Sequence, residues 1–306
     1  MATVTASSPP LERARTYASF VRFEHTLFSL PLVLAGIFSV SGPAMPASRW
    51  VLIALAAVGA RTAAMSLNRI IDRRLDALNP RTRTRELPSG AMKGAEAWAL
   101  LVASTLVYVA ACAALGPWYL EVAGVPLVVF AGYPYLKRFT PLCHFGVGLA
   151  LALAPLAGYA AAHPDLAAPA PALWLAAFAL CWVSGFDIIY ATLDEAFDRE
   201  HGVHSMVVWL GLRAALRVSA ALHMLAWASF MMAVLAIWIM AGHTPRAGAF
   251  VSDLASWVGG LGVGVLLYLE QRWAEDVNLA FFKVNVWVGF AVLVTVLTIR
   301  AGCGGF

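Results

Sequence analysis

The sequence predicts an all-α integral membrane protein, a bundle of about nine transmembrane helices around a central cavity. Apolar residues make up 61% of the 306 residues and charged residues only 12%, about half of the roughly 25% that is usual in soluble proteins. Apolar runs of about 18 residues or more, the length of a spanning helix, recur along the chain. A water-soluble fold could not bury this much apolar surface. The lipid bilayer is therefore the expected partner, and the net charge of +4 indicates membrane orientation, not nucleic-acid binding.

Nine apolar spans are separated by Gly, Pro and polar breakers. They are predicted at residues 18–42, 48–70, 95–116, 118–136, 142–162, 171–192, 213–241, 248–269 and 279–300. The short break at Gly116-Pro117 makes the third and fourth spans an antiparallel hairpin. We expect residues 1–306 to form a single membrane domain, in which residues 1–16 are a polar cytoplasmic N-terminus without a cleavable signal pattern.

The distribution of Lys and Arg predicts the orientation of the bundle. Seventeen of the 21 Lys and Arg residues lie in the N-terminus and in the loops after even-numbered spans, whereas three lie on the opposite side. Positively charged loops stay on the cytoplasmic side of a membrane. We therefore expect a multi-pass protein of the inner (cytoplasmic) membrane whose N-terminus faces the cytoplasm.

Oxygen-bearing side chains form one face at the end of the second span. Asn68, Asp72 and Asp76 recur every four residues, so a helix stacks them along one side. Arg61 lies about two turns earlier on the same face, deeper in the membrane. Because a buried charge without a partner is costly, we expect Arg61 to orient an acid of the site or a substrate carboxylate. Arg22, at the start of the first span, is a candidate of the same kind.

The same spacing returns at the end of the sixth span. Tyr190, Asp194 and Asp198 recur every four residues there, and Asp187 lies one turn earlier, inside an apolar run. Four crossings separate this span from the second, so both acidic segments emerge on one face of the membrane. Facing carboxylate and amide oxygens with no His or Cys beside them favour Mg²⁺ over zinc. The two segments together predict a site for Mg²⁺ and a diphosphate.

Basic and aromatic residues on the same side complete this predicted site. Arg81 and Arg85 follow the first acidic segment, and Lys137 ends the fourth span. These cations could neutralise phosphate charge. Tyr133 and Tyr190 could offer a hydroxyl to a phosphate or a ring face to a cation. The nearby histidines are interpreted as satisfied side chains at the membrane interface: His25, His144 and His204.

These patterns resemble the signatures of the UbiA-type membrane prenyltransferases. The family's N-x-x-x-D-x-x-x-D motif is similar to residues 68–76, and its D-x-x-Y-A-x-x-D-x-x-x-D motif is similar to residues 187–198. Residues 133–138 resemble the family's tyrosine-lysine segment, and residues 22–31 also look familial. Leu193 departs from a subgroup that often carries Gln before the Asp, a difference that leaves the metal site intact.

The resemblance implies a function and a reaction. It implies Mg²⁺-dependent transfer of a polyprenyl group from polyprenyl diphosphate to a small aromatic acceptor such as 4-hydroxybenzoate, in ubiquinone or menaquinone biosynthesis. A dihydroxynaphthoate of menaquinone synthesis is the alternative acceptor. The diphosphate would depart, the electron-rich ring would attack the resulting allylic carbocation, and a base would remove the ring proton.

Two Mg²⁺ ions are expected, each held by one acidic segment. The expected ligands are Asn68 and Asp72 for one ion, and Asp194 and Asp198 for the other. Asp76 is a further candidate ligand, or it supports the site as Asp187 does. The five aspartates and Lys137 are expected to be catalytic. The substrate is expected to contact Arg22, Arg61, Asn68, Arg81, Arg85, Tyr133, Lys137 and Tyr190.

Two other classes of function compete with an enzyme. A cation- or proton-coupled transporter also places Asp and Arg within the membrane. Here, however, the acids cluster at one face, and the sequence has no clear inverted repeat of the kind that many transporters show. A structural lipid-binding protein would not need paired Asp faces. Prenyl length and oligomeric state do not follow from these patterns.

Overall fold

The fold is a helical bundle, seen in a computed structural model that describes residues 10–22, 26–42, 44–241, 249–274 and 284–302. Every long element in these ranges is an α-helix, and none of them contains a strand. The helices are α1 Pro10–Phe20, α2 Thr26–Phe38, α3 Ala47–Leu78, α4 Gly94–Leu115, α5 Pro117–Val122, α6 Gly124–Leu136, α7 Cys143–Ala162, α8 Ala170–Ala191, α9 Glu195–Glu200, α10 Met206–Leu210, α11 Leu212–Met240, α12 Ala249–Arg272 and α13 Asn285–Gly302.

The described residues contain eight helical segments that are long and apolar enough to cross a membrane, together with the shorter apolar helix Ser29–Phe38. The predicted membrane class is therefore confirmed, and the number of spans is close to the nine expected. The predicted first span, 18–42, is two helices, because α1 ends at Phe20 and α2 begins at Thr26. The predicted fourth span is interrupted at Ala123, between α5 and α6. The start of the predicted ninth span, at 279, lies outside the described residues.

Helix α8 lies at the centre of the bundle. Its main neighbours are α7 and α11, while α3 packs against α4 and α6. Phe178 and Trp182 of α8 stack at 5.3 Å between ring centroids, and Phe230 of α11 packs against Phe178. Burying such large aromatic side chains contributes strongly to packing. The central helix is thereby fixed between its neighbours, and its C-terminal end carries part of the second acidic segment.

Small residues allow the helices around α8 to pack closely. At Gly148 of α7, a Cβ would lie only 2.5 Å from the carbonyl oxygen of Leu180 in α8. At Gly36 of α2, a Cβ would lie 2.0 Å from the carbonyl oxygen of Pro155 in α7. Glycine lets two membrane helices approach at such points. Helix α7 is therefore held directly against both α8 and α2.

Candidate active site

The ends of α3, α6, α7 and α8 surround a cavity of about 220 Å³. Eleven of the thirteen site residues expected from the sequence line it, with all five aspartates among them: Asn68, Asp72, Asp76, Arg81, Arg85, Tyr133, Lys137, Asp187, Tyr190, Asp194 and Asp198. Arg61 and Arg22 do not line this cavity. The Arg61 guanidinium donates to the backbone oxygen of Arg22 at 3.5 Å, and Arg61 lies about two turns before Asn68 on α3, so the two arginines contact each other outside the cavity lining.

The first acidic segment lies on one unbroken helix, because α3 continues to Leu78. Asp72 is almost fully buried, and its Oδ2 atom accepts a hydrogen bond from Lys137 Nζ at 2.5 Å. The Arg138 guanidinium lies 3.5 Å from Oδ1 of the same carboxylate, and Asn68 Nδ2 donates to Oδ2 at 3.3 Å. A buried charge needs such partners. The packing of α3 against α6 supplies them.

Asp76 forms the end of the same face, where the chain turns away from α3. Its Oδ1 atom accepts a hydrogen bond from Arg85 Nη1 at 2.7 Å, and the Thr82 hydroxyl donates to the backbone oxygen of Asp76 at 3.1 Å. The loop after α3 therefore folds back over the helix end. This folding brings Arg85 to the rim of the cavity.

The second acidic segment is not one continuous helix, contrary to the prediction. Helix α8 ends at Ala191, residues Thr192–Asp194 form a 3₁₀ turn, and α9 begins at Glu195. The turn directs Asp194 toward the loop after α3. Asn79 Nδ2 donates to Asp194 Oδ1 at 2.8 Å. Asp198, on α9, is also buried and interacts with the Ser205 hydroxyl.

Arg81 joins the two acidic segments. Its Nε atom donates to Asp194 Oδ1 at 2.9 Å, and Nη2 donates to Oδ2, so the guanidinium binds both carboxylate oxygens. It also donates to the Tyr190 hydroxyl and lies over the Tyr190 ring, 4.7 Å from its centroid. Burial alone would lower the pKa of Arg81, but the bonds to Asp194 and Tyr190 raise it above its usual value. Arg81 is therefore a permanent cation at the cavity.

His144 contacts an acid of the site, which the sequence did not indicate. Its Nδ1 atom lies 2.7 Å from Asp187 Oδ2, and its Nε2 atom accepts a hydrogen bond from the backbone N–H of Met206 at 3.2 Å. The histidine is satisfied, as expected, but its partner is a cavity aspartate. Asn79 and Arg138 also contact aspartates of the cavity, and the sequence did not indicate these contacts.

The donor atoms of the cavity fit Mg²⁺. The candidate ligands offer carboxylate and amide oxygens, which Mg²⁺ prefers. Within the part of the chain that the structure describes, no three His, Cys, Asp or Glu side chains are already gathered as a metal cluster. Mg²⁺ usually takes one or two carboxylates and completes its coordination with water and substrate phosphates. A carboxylate from each segment, facing one cavity, is consistent with that mode of binding.

Comparison with known proteins gives a consistent result. The model of the UbiA prenyltransferase family matches residues 29–286. The chain is 31% identical over 240 residues to the 4-hydroxybenzoate octaprenyltransferase of Xanthomonas campestris pv. campestris (strain B100), covering 76% of this chain and 74% of that protein. It is 27% identical over 290 residues to the protein of the same name from Shewanella woodyi, covering 92% and 96% of the two chains.

Two solved structures share the fold. The apo structure of a UbiA homolog from Aeropyrum pernix K1 has 33% sequence identity and a TM-score of 0.78, covering 90% of this chain and 97% of that one. The UbiA homolog from Archaeoglobus fulgidus bound to GPP and Mg²⁺ has 17% identity and a TM-score of 0.66, covering 94% and 99%. At this lower identity, the second likeness concerns the fold alone.

Proposed function

Because the chain belongs to the UbiA prenyltransferase family, we propose that it transfers a polyprenyl group from polyprenyl diphosphate to a small aromatic acceptor in quinone biosynthesis. This proposal rests on one observation: both acidic segments line the same cavity as Arg81, Arg85 and Lys137. Acids suited to Mg²⁺ and cations suited to phosphate face the same space. A diphosphate group is the substrate moiety that uses both.

The metal proposal assigns one ion to each acidic segment. Asn68 and Asp72 would hold one Mg²⁺, and Asp194 and Asp198 the other. When bound, Mg²⁺ neutralises the diphosphate and makes it a better leaving group. Asp76, one of whose carboxylate oxygens pairs with Arg85, is a further candidate ligand.

The protein's own cations act on the diphosphate as its negative charge grows. The C1–O bond of the allylic diphosphate breaks, and its electron pair leaves with the diphosphate. Arg81 and Lys137 are held at the cavity by Asp194 and Asp72 before any substrate arrives. Cations placed in advance where charge develops stabilise the transition state most effectively. The electron-rich ring of the acceptor then attacks the allylic cation.

For the acceptor, we propose 4-hydroxybenzoate, which is the substrate named in the two relatives. Arg61 and Arg22 lie together beside the cavity, where a guanidinium could receive the acceptor's carboxylate. A dihydroxynaphthoate carries the same carboxylate and is the second candidate. We further propose that the chain is a single membrane domain of the inner membrane and that its N-terminus and cavity face the cytoplasm.

The test is turnover by purified protein in lipid, with a polyprenyl diphosphate and a panel of aromatic acceptors. We expect prenylated product only when Mg²⁺ is present. Asp72→Ala and Asp194→Ala should abolish product while the protein remains folded in the membrane, whereas the exposed α5 residue Glu121 offers a matched control in Glu121→Ala. Undiminished turnover in both cavity variants would exclude the metal assignment. Gradient-driven uptake without product would instead support a transporter.

A further inference from the structure

The five cavity aspartates differ in their partners. Asp72, Asp76 and Asp194 each pair with a Lys or Arg side chain within 4.0 Å. Asp198 contacts the Ser205 hydroxyl instead, and the one ion-pair partner of Asp187 among the described residues is His144. The Asp187 side chain is 25% exposed and lines the cavity. One carboxylate oxygen is therefore held by a histidine while the group still faces the space where substrate would bind.

The hydrogen bonds of His144 determine which of its nitrogens carries the proton. The backbone N–H of Met206 can only donate, so Nε2, 3.2 Å away, must be the acceptor. The neutral ring then carries its proton on Nδ1 and donates it to Asp187 Oδ2 at 2.7 Å. His144 itself is almost fully buried. It is therefore placed to orient Asp187 and has no nitrogen left to meet a substrate.

The surroundings of this pair are rigid. Gly148, one turn after His144, permits the close approach of α7 to α8. The segment before Met206 is fixed as well, because the backbone N–H of His204 donates to the backbone oxygen of Lys137 at 2.7 Å. The pair thus rests on α7, α8 and a loop tied to the end of α6. His144 is thereby fixed where it donates to the Asp187 carboxylate.

The position of Asp187 suits the acceptor ring and not the diphosphate. It lies about one turn deeper in α8 than Tyr190, which contacts Arg81. Tyr133 lines the same cavity as Asp187, and Arg61, proposed above for the acceptor's carboxylate, lies about two turns before Asn68 on α3. The acceptor ring is therefore expected on the deeper side of the cavity, where Asp187 lies.

We propose that Asp187 is the base that removes the ring proton and that His144 is the residue that positions it. This inference rests on the proposed function. After the ring carbon forms its bond to C1 of the prenyl group, that carbon still carries its hydrogen. Asp187 takes this hydrogen as a proton, the C–H electron pair restores the aromatic ring, and the resulting carboxylic acid later returns the proton to the diphosphate or to water. Asp72, Asp76 and Asp194 are each already held by a Lys or Arg side chain, and Asp198 belongs to the proposed metal site.

The experiment compares turnover of unlabelled acceptor and of acceptor carrying deuterium at the carbon that is prenylated. The probe is 4-hydroxybenzoate labelled at both carbons next to the hydroxyl, or the naphthoate labelled likewise if the panel identifies it. In the wild-type protein we expect equal kcat for both, because departure of the diphosphate is slower than loss of the proton. Asp187→Asn should lower kcat by about 100-fold or more and make kcat depend on the deuterium label.

Two substitutions of His144 separate positioning from packing. His144→Phe keeps a buried ring but cannot donate to Asp187 or accept from Met206. Its kcat should therefore fall by about tenfold, which is part of what a general base contributes. The deuterium isotope effect on kcat should also appear in this variant. His144→Gln can donate and accept at once and should restore kcat and remove the isotope effect. The KM for the prenyl diphosphate should be unchanged in all three variants.

The outcomes distinguish this inference from the function on which it rests. If the wild-type protein prenylates no aromatic acceptor, the proposed function is wrong. If it does, but Asp187→Asn keeps its kcat or shows no isotope effect, Asp187 is not the base. If His144→Gln is as impaired as His144→Phe, His144 serves packing alone.

Discussion

Replacing Lys137 and replacing Asp72, the two partners of one ion pair, should lower the stability of the protein by different amounts. The Asp72 side chain is only 2% exposed, whereas the Lys137 side chain is 29% exposed. Lys137→Met removes the ammonium group that lies 2.5 Å from Asp72 Oδ2 and leaves a carboxylate buried. Asp72→Asn removes the buried charge and leaves an ammonium group that can turn into the open cavity. The lysine variant should therefore be the less stable of the two.

The expected magnitudes follow from these surroundings. Removing one partner of a buried ion pair costs about 3–5 kcal/mol, and the lower end applies because Arg138 remains 3.5 Å from Asp72. Asp72→Asn loses hydrogen bonds to charged groups but strands no buried charge, so a cost of about 1 kcal/mol is expected. In the double variant the stranded charge is absent. It should therefore be about as stable as Asp72→Asn alone, a coupling of about 3 kcal/mol between the two sites.

The assay is thermal unfolding of the purified proteins in one detergent. At about 2 °C per kcal/mol, Lys137→Met should melt about 6 °C below the wild-type protein, with the other two variants between them. Turnover should be lost in all three, so stability and activity must be measured separately. The reasoning is refuted if Lys137→Met and Asp72→Asn have the same melting temperature, or if the double variant is no more stable than Lys137→Met.

Two further changes test the loop after α3 and the contact between α7 and α8. Arg81→Lys keeps the charge but cannot bind both oxygens of Asp194. The loss of one charged hydrogen bond, about 1.5 kcal/mol, should lower kcat/KM about tenfold. Arg83→Lys, at an exposed site, is the control and should leave kcat/KM unchanged. Gly148→Ala places a Cβ 2.5 Å from a carbonyl oxygen of α8 and should destabilise the protein by about 1–3 kcal/mol. Gly132→Ala, whose Cβ would meet nothing within 4 Å, is the matched control. Equal melting temperatures for the two variants would contradict this packing argument.

Much of the site could be predicted because its determinants are local in sequence. The four-residue spacing of Asn68, Asp72 and Asp76 is a property of one helix, and α3 runs unbroken through all three. A long run of apolar residues identifies a membrane span whichever helices pack against it. Counting crossings then brings the second acidic segment to the same side, and its residues Asp187, Tyr190, Asp194 and Asp198 do line the cavity.

What could not be predicted depends on contacts between distant segments. The spacing of Tyr190, Asp194 and Asp198 is that of a helix. The sequence has no Gly or Pro at Thr192–Asp194, where the 3₁₀ turn forms. In the folded chain Asp194 binds Arg81, a residue of another segment. The pairing of His144 with Asp187 likewise joins two helices, and nothing in either local sequence indicates it. Tertiary contacts of this kind leave no periodic pattern.

The basic residues near the cavity combine two roles that the sequence presents as alternatives. Arg81, Arg85 and Lys137 contribute to the positive charge that predicts orientation, and each also binds a cavity aspartate. A cation in a loop that served orientation alone would have no need of a buried carboxylate partner. Because these three are bound to acids at the cavity, their charges are fixed there before substrate binds, and less side-chain entropy is lost when a diphosphate arrives. The positive charge from which the orientation is predicted is thus partly the positive charge of the proposed active site.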